Sequence, residues 1–371
     1  MADVGESALS EDSGHEHCEA AQGSKRNPRN LSPLQYVEGI LGGDRSTLAK
    51  AITLIESSRQ SDRDLAEQVI ETCLKASGDS IRIGVTGVPG AGKSSLIEVL
   101  GRDIITNQEE KVAVLAVDPS STISGGSILG DKTRMSFLAT SERAFIRPSP
   151  SRGAMGGVAQ HTREAIVLCE AAGYRNIFVE TVGVGQSEVA VRDMVDFFLL
   201  VTIAGAGDEL QGIKRGVMEM ADAVVVNKAD GENVRAAERA RSEAQSALHY
   251  LPASLSGWIP PAMMCSARIG VGIAAIWSCV QEYQRMSKAS RWWERARREQ
   301  SRHWMQEGLQ DGLMQIFRSS SLMAGRIGDV EQRVLTGEIT PVRGVRELLS
   351  LYAAERGLYP NASNASSELL P

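Results

Sequence analysis

One stretch limits what this chain can fold into more than any other: Gly87-Val-Pro-Gly-Ala-Gly-Lys93-Ser94. It satisfies GxxxxGK[ST] in full, follows the apolar run 81–85 and precedes a helix-like segment from Ser95 to Leu100. A glycine-rich turn between a buried strand and a helix lets the backbone close around an anion. Its N–H groups point at phosphate oxygens, and the helix N-terminus adds partial positive charge. Gly87, Val88, Pro89, Gly90, Ala91, Gly92, Lys93, Ser94 and Ser95 are therefore the expected phosphate-binding residues. Lys93 is expected to reach the β- and γ-phosphates and Ser94 to ligate Mg²⁺.

The rest of the chain supplies the sheet that such a loop requires. Short, nearly continuous apolar runs occur at 81–85, 112–117, 177–179, 197–203, 223–226 and 262–265, most of them separated by stretches of helical length. Runs apolar on both faces that alternate with helices predict an α/β core, with a mostly parallel central sheet flanked by helices, over residues 80–286. Before it, 31–79 reads as a helical region: Leu48, Ala51, Ile52 and Ile55 share one face, and Leu65, Val69, Ile70 and Cys73 continue in a second helix after a polar break at 57–62. After it, 287–357 is helical again, with Met305, Leu309, Leu313, Ile316 and Phe317 in a stripe. That stripe fits either packing on the chain's own core or a second copy. Arg291, Glu294, Arg295, Arg297, Arg298 and Arg302 crowd the start of this segment and read as a solvated charged face. Residues 1–30 and 358–371 read as a disordered and a flexible polar tail.

Asn227-Lys228-Ala229-Asp230 ends the run 223–226, and ligands sit at the carboxyl ends of strands in such sheets. A carboxylate there can accept from the ring N–H and the exocyclic amino group of guanine, a pair that adenine lacks, and a site built for those donors rejects the analogue without them. After a phosphate loop at this distance, Asn227, Lys228 and Asp230 become the expected base-recognition residues. Ser266 and Ala267, in Cys265-Ser-Ala after the next run, resemble the third base-contacting loop of GTPases. Three acids complete the set. Asp118 ends the run 112–117, Asp131 lies in a glycine-rich stretch, and Glu180 is followed by Thr-Val-Gly183. Oxygen ligands suit Mg²⁺, so Ser94, Asp118, Asp131 and Glu180 form the expected metal shell. Gly183 is placed to sense the γ-phosphate. Many GTPases put a water-orienting Gln directly after that glycine. Here Val184 stands in its place and Gln186 is displaced, which predicts slow hydrolysis by the protein alone.

Composition excludes several classes. The net charge of −6 argues against a nucleic-acid partner. No apolar run approaches the roughly 20 residues of a membrane span. The N-terminus has no secretory pattern, and the five cysteines are scattered with no CxxC pair. A cytoplasmic protein without disulfide or structural zinc is expected.

Longer stretches are more specific than these motifs. Tyr36-Val-Glu-Gly-Ile-Leu, Val117-Asp-Pro-Ser-Ser121, Ile128-Leu-Gly-Asp-Lys-Thr-Arg-Met135, Glu180-Thr-Val-Gly-Val-Gly-Gln-Ser-Glu188 and Gly205-Ala-Gly-Asp-Glu-Leu-Gln-Gly-Ile-Lys214 resemble the MeaB/ArgK-type P-loop GTPases, from about Tyr36 to Ala354. That family comprises chaperones of adenosylcobalamin-dependent mutases. The resemblance implies a P-loop NTPase fold, GTP/GDP and Mg²⁺ as ligands, a methylmalonyl-CoA mutase-like acyl-CoA mutase as partner, and a homodimer held by C-terminal helices. It also implies that Gly205–Arg215 is a switch. Lys214 in that switch is expected, with Lys93, Glu180 and Gln186, to complete the catalytic site when the partner binds. The alternatives are a nickel- or cobalt-inserting GTPase, a kinase linked to amino-acid transport, and a nucleotide-bound scaffold. The first needs a Cys/His site near the switches, and none is evident, since Cys169 sits in an apolar helical pattern and Cys265 ends a strand. The tail cluster His15-Glu-His17-Cys18 is short, has no second half and reads as chance composition. The second alternative lacks HRD- and DFG-type motifs.

Overall fold

The continuous apolar runs become strands of one sheet, buried on both faces along almost all their length; at the edge run 262–265 Met263 and Met264 are half-buried. The computed structural model describes residues 31–57, 59–117, 135–149, 155–181, 187–205, 215–252 and 254–357. Among these, β1 (Ile81–Gly87), β2 (Val112–Val117), β3 (Ala144–Ser149), β4 (Asn176–Thr181), β5 (Phe197–Ile203), β6 (Ala223–Asn227) and β7 (Ala262–Met264) form a seven-stranded sheet in the order β3-β2-β4-β1-β5-β6-β7. Every neighbouring pair is parallel. Side chains alternate between two apolar clusters: Val112 and Val114 enter one, while Ala113, Leu115 and Val117 enter the other. The carboxyl ends of β1, β4, β6 and β7 carry the phosphate loop, Glu180, Asn227 and Cys265.

β3 is a strand that the apolar runs do not reveal, because Arg147 and Pro148 interrupt it. It lies at the sheet edge and pairs only with β2, the position where a proline without an N–H is tolerated.

The N-terminal region holds three helices, one more than the periodicity suggests. α1 (Pro33–Leu41) starts at a reciprocal capping box between Ser32 and Gln35, and α2 (Arg45–Ile55) is capped by Asp44, which accepts from Ser46 and Thr47 N–H. Gly43, at φ 76°, makes the turn between them. α3 (Gln60–Leu74) follows. In chain order come α4 (Lys93–Gln108), α5 (Ser136–Thr140), α6 (Met155–Ala171), α7 (Ser187–Arg192), α8 (Arg215–Glu219), α9 (Val234–His249) and α10 (Ile273–Ala289). α1 to α3 pack with α6 over one face of the sheet in a single apolar cluster, and α4 and α10 cover the other face.

α11 (Trp292–Ser319), α12 (Ser321–Leu335) and α13 (Pro341–Glu355) follow. Five of the six charged residues at the start of α11 are exposed, as expected. The sixth, Arg297, departs from that reading. Its side chain is 14% exposed and donates to both Asp196 carboxylate oxygens (2.8 and 2.7 Å) and to the carbonyls of Gly78 and Ser80 (2.6 Å each). Beside it, Arg82 of β1 and Glu170 of α6 form a buried pair at 2.8 and 3.1 Å. Burial pushes the Glu170 carboxyl up, but Arg82, Ser80 and Arg297 together hold it below its ordinary value. Among the described residues Met305, Leu309, Leu313 and Ile316 are exposed, while Phe317, the fifth residue of the stripe, is half-buried with its ring 5.2 Å from that of Tyr352 in α13.

Candidate nucleotide site

β1 leaves the sheet through Gly87, at φ 142°, where a Cβ would fall 1.8 Å from the Val201 carbonyl oxygen of β5. No other residue can pass so close. Gly92 caps α4 at φ 87°, and a Cβ there would meet Asn227 Nδ2 at 2.6 Å. Lys93, the first residue of α4, is buried, and its Nζ donates to the carbonyls of Gly87 (2.9 Å) and Val88 (3.2 Å). Burial pulls its pKa down, against the opposing pull of the Glu180 and Glu188 carboxylates. Ser94 Oγ donates to Glu180 Oε1 at 2.7 Å, and both groups are buried. A hydroxyl and a carboxylate held together behind the phosphate loop are hard oxygen donors and fit Mg²⁺. Val88 is buried, whereas Pro89, Gly90 and Ser95 are exposed. The strand ends behind the loop are linked by a buried hydroxyl pair, Thr181 Oγ1 to Thr86 Oγ1, at 2.9 Å.

The residues expected to recognise the base converge around Asn227, which is 2% exposed. Its Nδ2 donates to Ala91 O of the phosphate loop at 2.7 Å. Its Oδ1 accepts from Ala267 N–H at 3.1 Å and from Cys265 Sγ at 3.4 Å. One side chain thus ties three loops together. Lys228 sits in the left-handed region at φ 60°, and Ala229 N–H donates to Cys265 O at 2.9 Å. Asp230 Oδ1 accepts from Ser266 Oγ at 2.9 Å, and Arg268 lies 3.7 Å from Oδ2. The aspartate is thereby oriented before any base arrives.

The structure brings Lys93, Ser94 and Glu180 into one cluster and Asn227, Asp230, Ser266 and Ala267 into another, with the Asn227–Ala91 bond between them. Asp118, Asp131, Gly183, Gln186, Lys214 and the His15–Cys18 cluster lie outside the described residues. Two residues near the site carry no role in the motif reading. Arg268 borders Asp230, and Glu188 is a buried acid whose field reaches Lys93. Nothing in the spacing of Gln186-Ser-Glu188 marks that glutamate as buried. A separate cleft of about 1000 Å³ between α3, α6 and α11, lined by residues such as Glu67, His161 and Asp311, shares no residue with this site.

The chain is similar to known proteins over most of its length. The family model described as "Methylmalonyl Co-A mutase-associated GTPase MeaB" matches residues 48–321. A probable GTPase of Mycobacterium tuberculosis is 46% identical over 312 residues, spanning 84% of this chain and 93% of the relative. The mitochondrial "Methylmalonic aciduria type A homolog" of Mus musculus is 44% identical over 324 residues, 85% of this chain and 78% of the relative. A crystal structure described as a LAO/AO transport system kinase superposes with a TM-score of 0.70 at 36% identity, covering 86% of this chain and 97% of that one.

Proposed function

The chain belongs to the MeaB family of GTPases and is itself a GTPase, and from that premise we propose that it is a chaperone gating adenosylcobalamin loading of a methylmalonyl-CoA mutase-like enzyme. In this reading it also protects or reactivates that mutase. The observation that carries the guanine-nucleotide reading is the Asn227 tie, which fixes the loop bearing Asp230 against the phosphate loop. Two sites held by one buried amide act on one ligand. Asp230, held by Ser266, accepts from the guanine edge. Lys93 exchanges its two carbonyl partners for phosphate oxygens. Ser94 and Glu180, with Asp118 and Asp131, would hold Mg²⁺, which would supply positive charge to offset that of the phosphates.

Hydrolysis by the protein alone is slow in this account, because Val184 stands where a water-orienting glutamine is expected and Gln186 is displaced. The mutase completes the site by bringing Lys214 to the transferred phosphate, where a cation stabilises charge that builds up in the transition state. The exposed residues Met305, Leu309, Leu313 and Ile316 form the contact of a homodimer. A cytoplasmic location fits a chain in which no helix of the described residues is long and apolar enough to cross a membrane.

The test is GTP hydrolysis, with ATP as control, alone and with purified methylmalonyl-CoA mutase from the same organism. Slow GTP-selective turnover that rises with the mutase, and a Lys214→Ala variant that loses the rise, are expected. Unchanged turnover on adding the mutase would reject this partner class, and equal ATP turnover would reject the role of Asp230.

A further inference from the structure

α7 connects the nucleotide site to the C-terminal helices through contacts that none of the GTPase motifs requires. It lies against β1, which ends in Gly87, and β4, which carries Glu180 next to its last residue. The approach to β1 depends on Gly84, three residues before Gly87. A Cβ there would sit 3.1 Å from Val191 Cγ1, 3.0 Å from Val195 Cγ2 and 2.7 Å from the Phe198 ring. At the site end of α7, Glu188 is buried within the field of Lys93. At its far end, residues 193–196 lead into β5.

α11 grips that far end at successive turns. Trp304 Nε1 donates to Asp193 O at 2.9 Å, Gln300 Nε2 donates to Val195 O at 2.7 Å, and Arg297 holds the Asp196 carboxylate. Positions 297, 300 and 304 share one face of a helix. Arg163 of α6 closes the grip from behind, with its guanidinium 5.1 Å over the Trp304 ring and a 2.5 Å bond to Glu307. His303 Nε2 lies 3.6 Å from the Asp193 carboxylate and 3.4 Å from Glu307. From this grip the same helix runs uninterrupted to the exposed Met305, Leu309, Leu313 and Ile316.

We propose that α7 and the turn 193–196 form a lever that carries the nucleotide state into α11, with Gln300 and Trp304 as the coupling residues. When the ligand at Lys93 and Glu180 changes, α7 shifts against Gly84. The turn moves the Gln300–Trp304 face with it, and α11 delivers the displacement to its exposed apolar residues, the last of which, Ile316, lies about 18 Å beyond Trp304. The inference rests on the nucleotide-site reading above and adds to it a structural route with a defined receiver.

Hydrogen exchange tests it on the full-length protein without nucleotide, with GDP and with a non-hydrolysable GTP analogue. In the wild type, peptides spanning 305–316 are expected to exchange several-fold differently between the GDP and GTP-analogue states. In the double variant Gln300→Ala/Trp304→Phe that difference should vanish, while affinity for a fluorescent GTP analogue stays unchanged. Should the double variant fold poorly, Gln300→Met, which keeps the stem and removes only the donor to Val195, is expected to shrink the difference. A variant that keeps the full difference overturns the lever. So does a wild type that binds the analogue yet exchanges identically along α11 in all three states. The affinity measurement separates the two failures, since a wild type that binds no guanine nucleotide refutes the site reading together with the lever.

Discussion

Replacing Arg297 by methionine removes a charge from the junction between α11 and the base of the sheet while keeping most of the side-chain volume. Arg297 makes two bonds to Asp196 and one each to Gly78 O and Ser80 O, and it stacks 4.6 Å over Trp293. Glu170 loses little, because Arg82, Ser80 Oγ and Gly78 N–H still satisfy it. Asp196 carries the cost. Its carboxylate is 5% exposed and keeps the Arg82 backbone N–H at 2.8 Å. Breaking a buried pair from one side costs about 3–5 kcal/mol, and the partners left to Asp196 place this case near about 3 kcal/mol. At about 2.1 cal/mol/K of unfolding entropy per residue, a chain of this size responds with a fall in melting temperature of roughly 4 °C. Adding Asp196→Asn removes the orphaned charge, so the double variant is expected to recover part of the loss. Guanidinium unfolding followed by circular dichroism and tryptophan fluorescence measures both differences. A loss under about 1 kcal/mol, or a double variant less stable than Arg297→Met alone, would refute the claim that a buried charge pair anchors this helix.

Gly92→Ala places a methyl group 2.6 Å from Asn227 Nδ2 at a φ of 87°. It should pull the amide off Ala91 O and weaken GTP binding at least about tenfold with the fold intact, and a fluorescent-nucleotide titration showing wild-type affinity would contradict this. Asp222 is pushed by burial from 3.8 up to about 6, against the pull of Arg192 and the Phe198 N–H. The folded state therefore takes up this proton at higher pH than the unfolded chain, and the group's penalty, fully present above pH 6, is relieved as pH falls toward 3.8. Between pH 7 and 5 the stability of wild type relative to Asp222→Asn should shift toward wild type by about 1–1.5 kcal/mol; a difference that is flat in pH would exclude the raised carboxyl.

The nucleotide site was legible because its requirements are local. A phosphate loop needs particular glycines within eight positions, and Asn227 and Asp230 sit three residues apart at the end of one strand. Strand identity was legible wherever both faces were buried, since a run such as 197–203 can take few other places. β3 failed this test because Arg147 and Pro148 break its apolar run, and Arg147 uses the open side of the edge strand to reach Glu56 of α2. The break between α1 and α2 was present in Gly42-Gly43-Asp44 as a glycine turn followed by an N-cap. No apolar residue lies between Leu41 and Leu48, so the apolar spacing is interrupted there as well.

The arginine-rich start of α11 shows what local reading cannot reach. Its partners lie 101, 217 and 219 positions away in the chain, so nothing nearby distinguishes Arg297 from Arg295 or Arg298. The apolar stripe also drew attention to the wrong side of the helix. At roughly 100° per residue, Trp293, Arg297, Gln300 and Trp304 share one face, and Met305, Leu309, Leu313 and Ile316 share another about 140° away. The chain anchors α11 through the first face, with hydrogen bonds and one guanidinium, and leaves the second exposed. A helix held by its polar face has its apolar face free for a partner. That explains how an ordinary amphipathic pattern occurs on a helix whose apolar residues from Met305 to Ile316 stay exposed among the described residues, and why a movement received on the anchored face would be felt at the surface proposed above for a second chain.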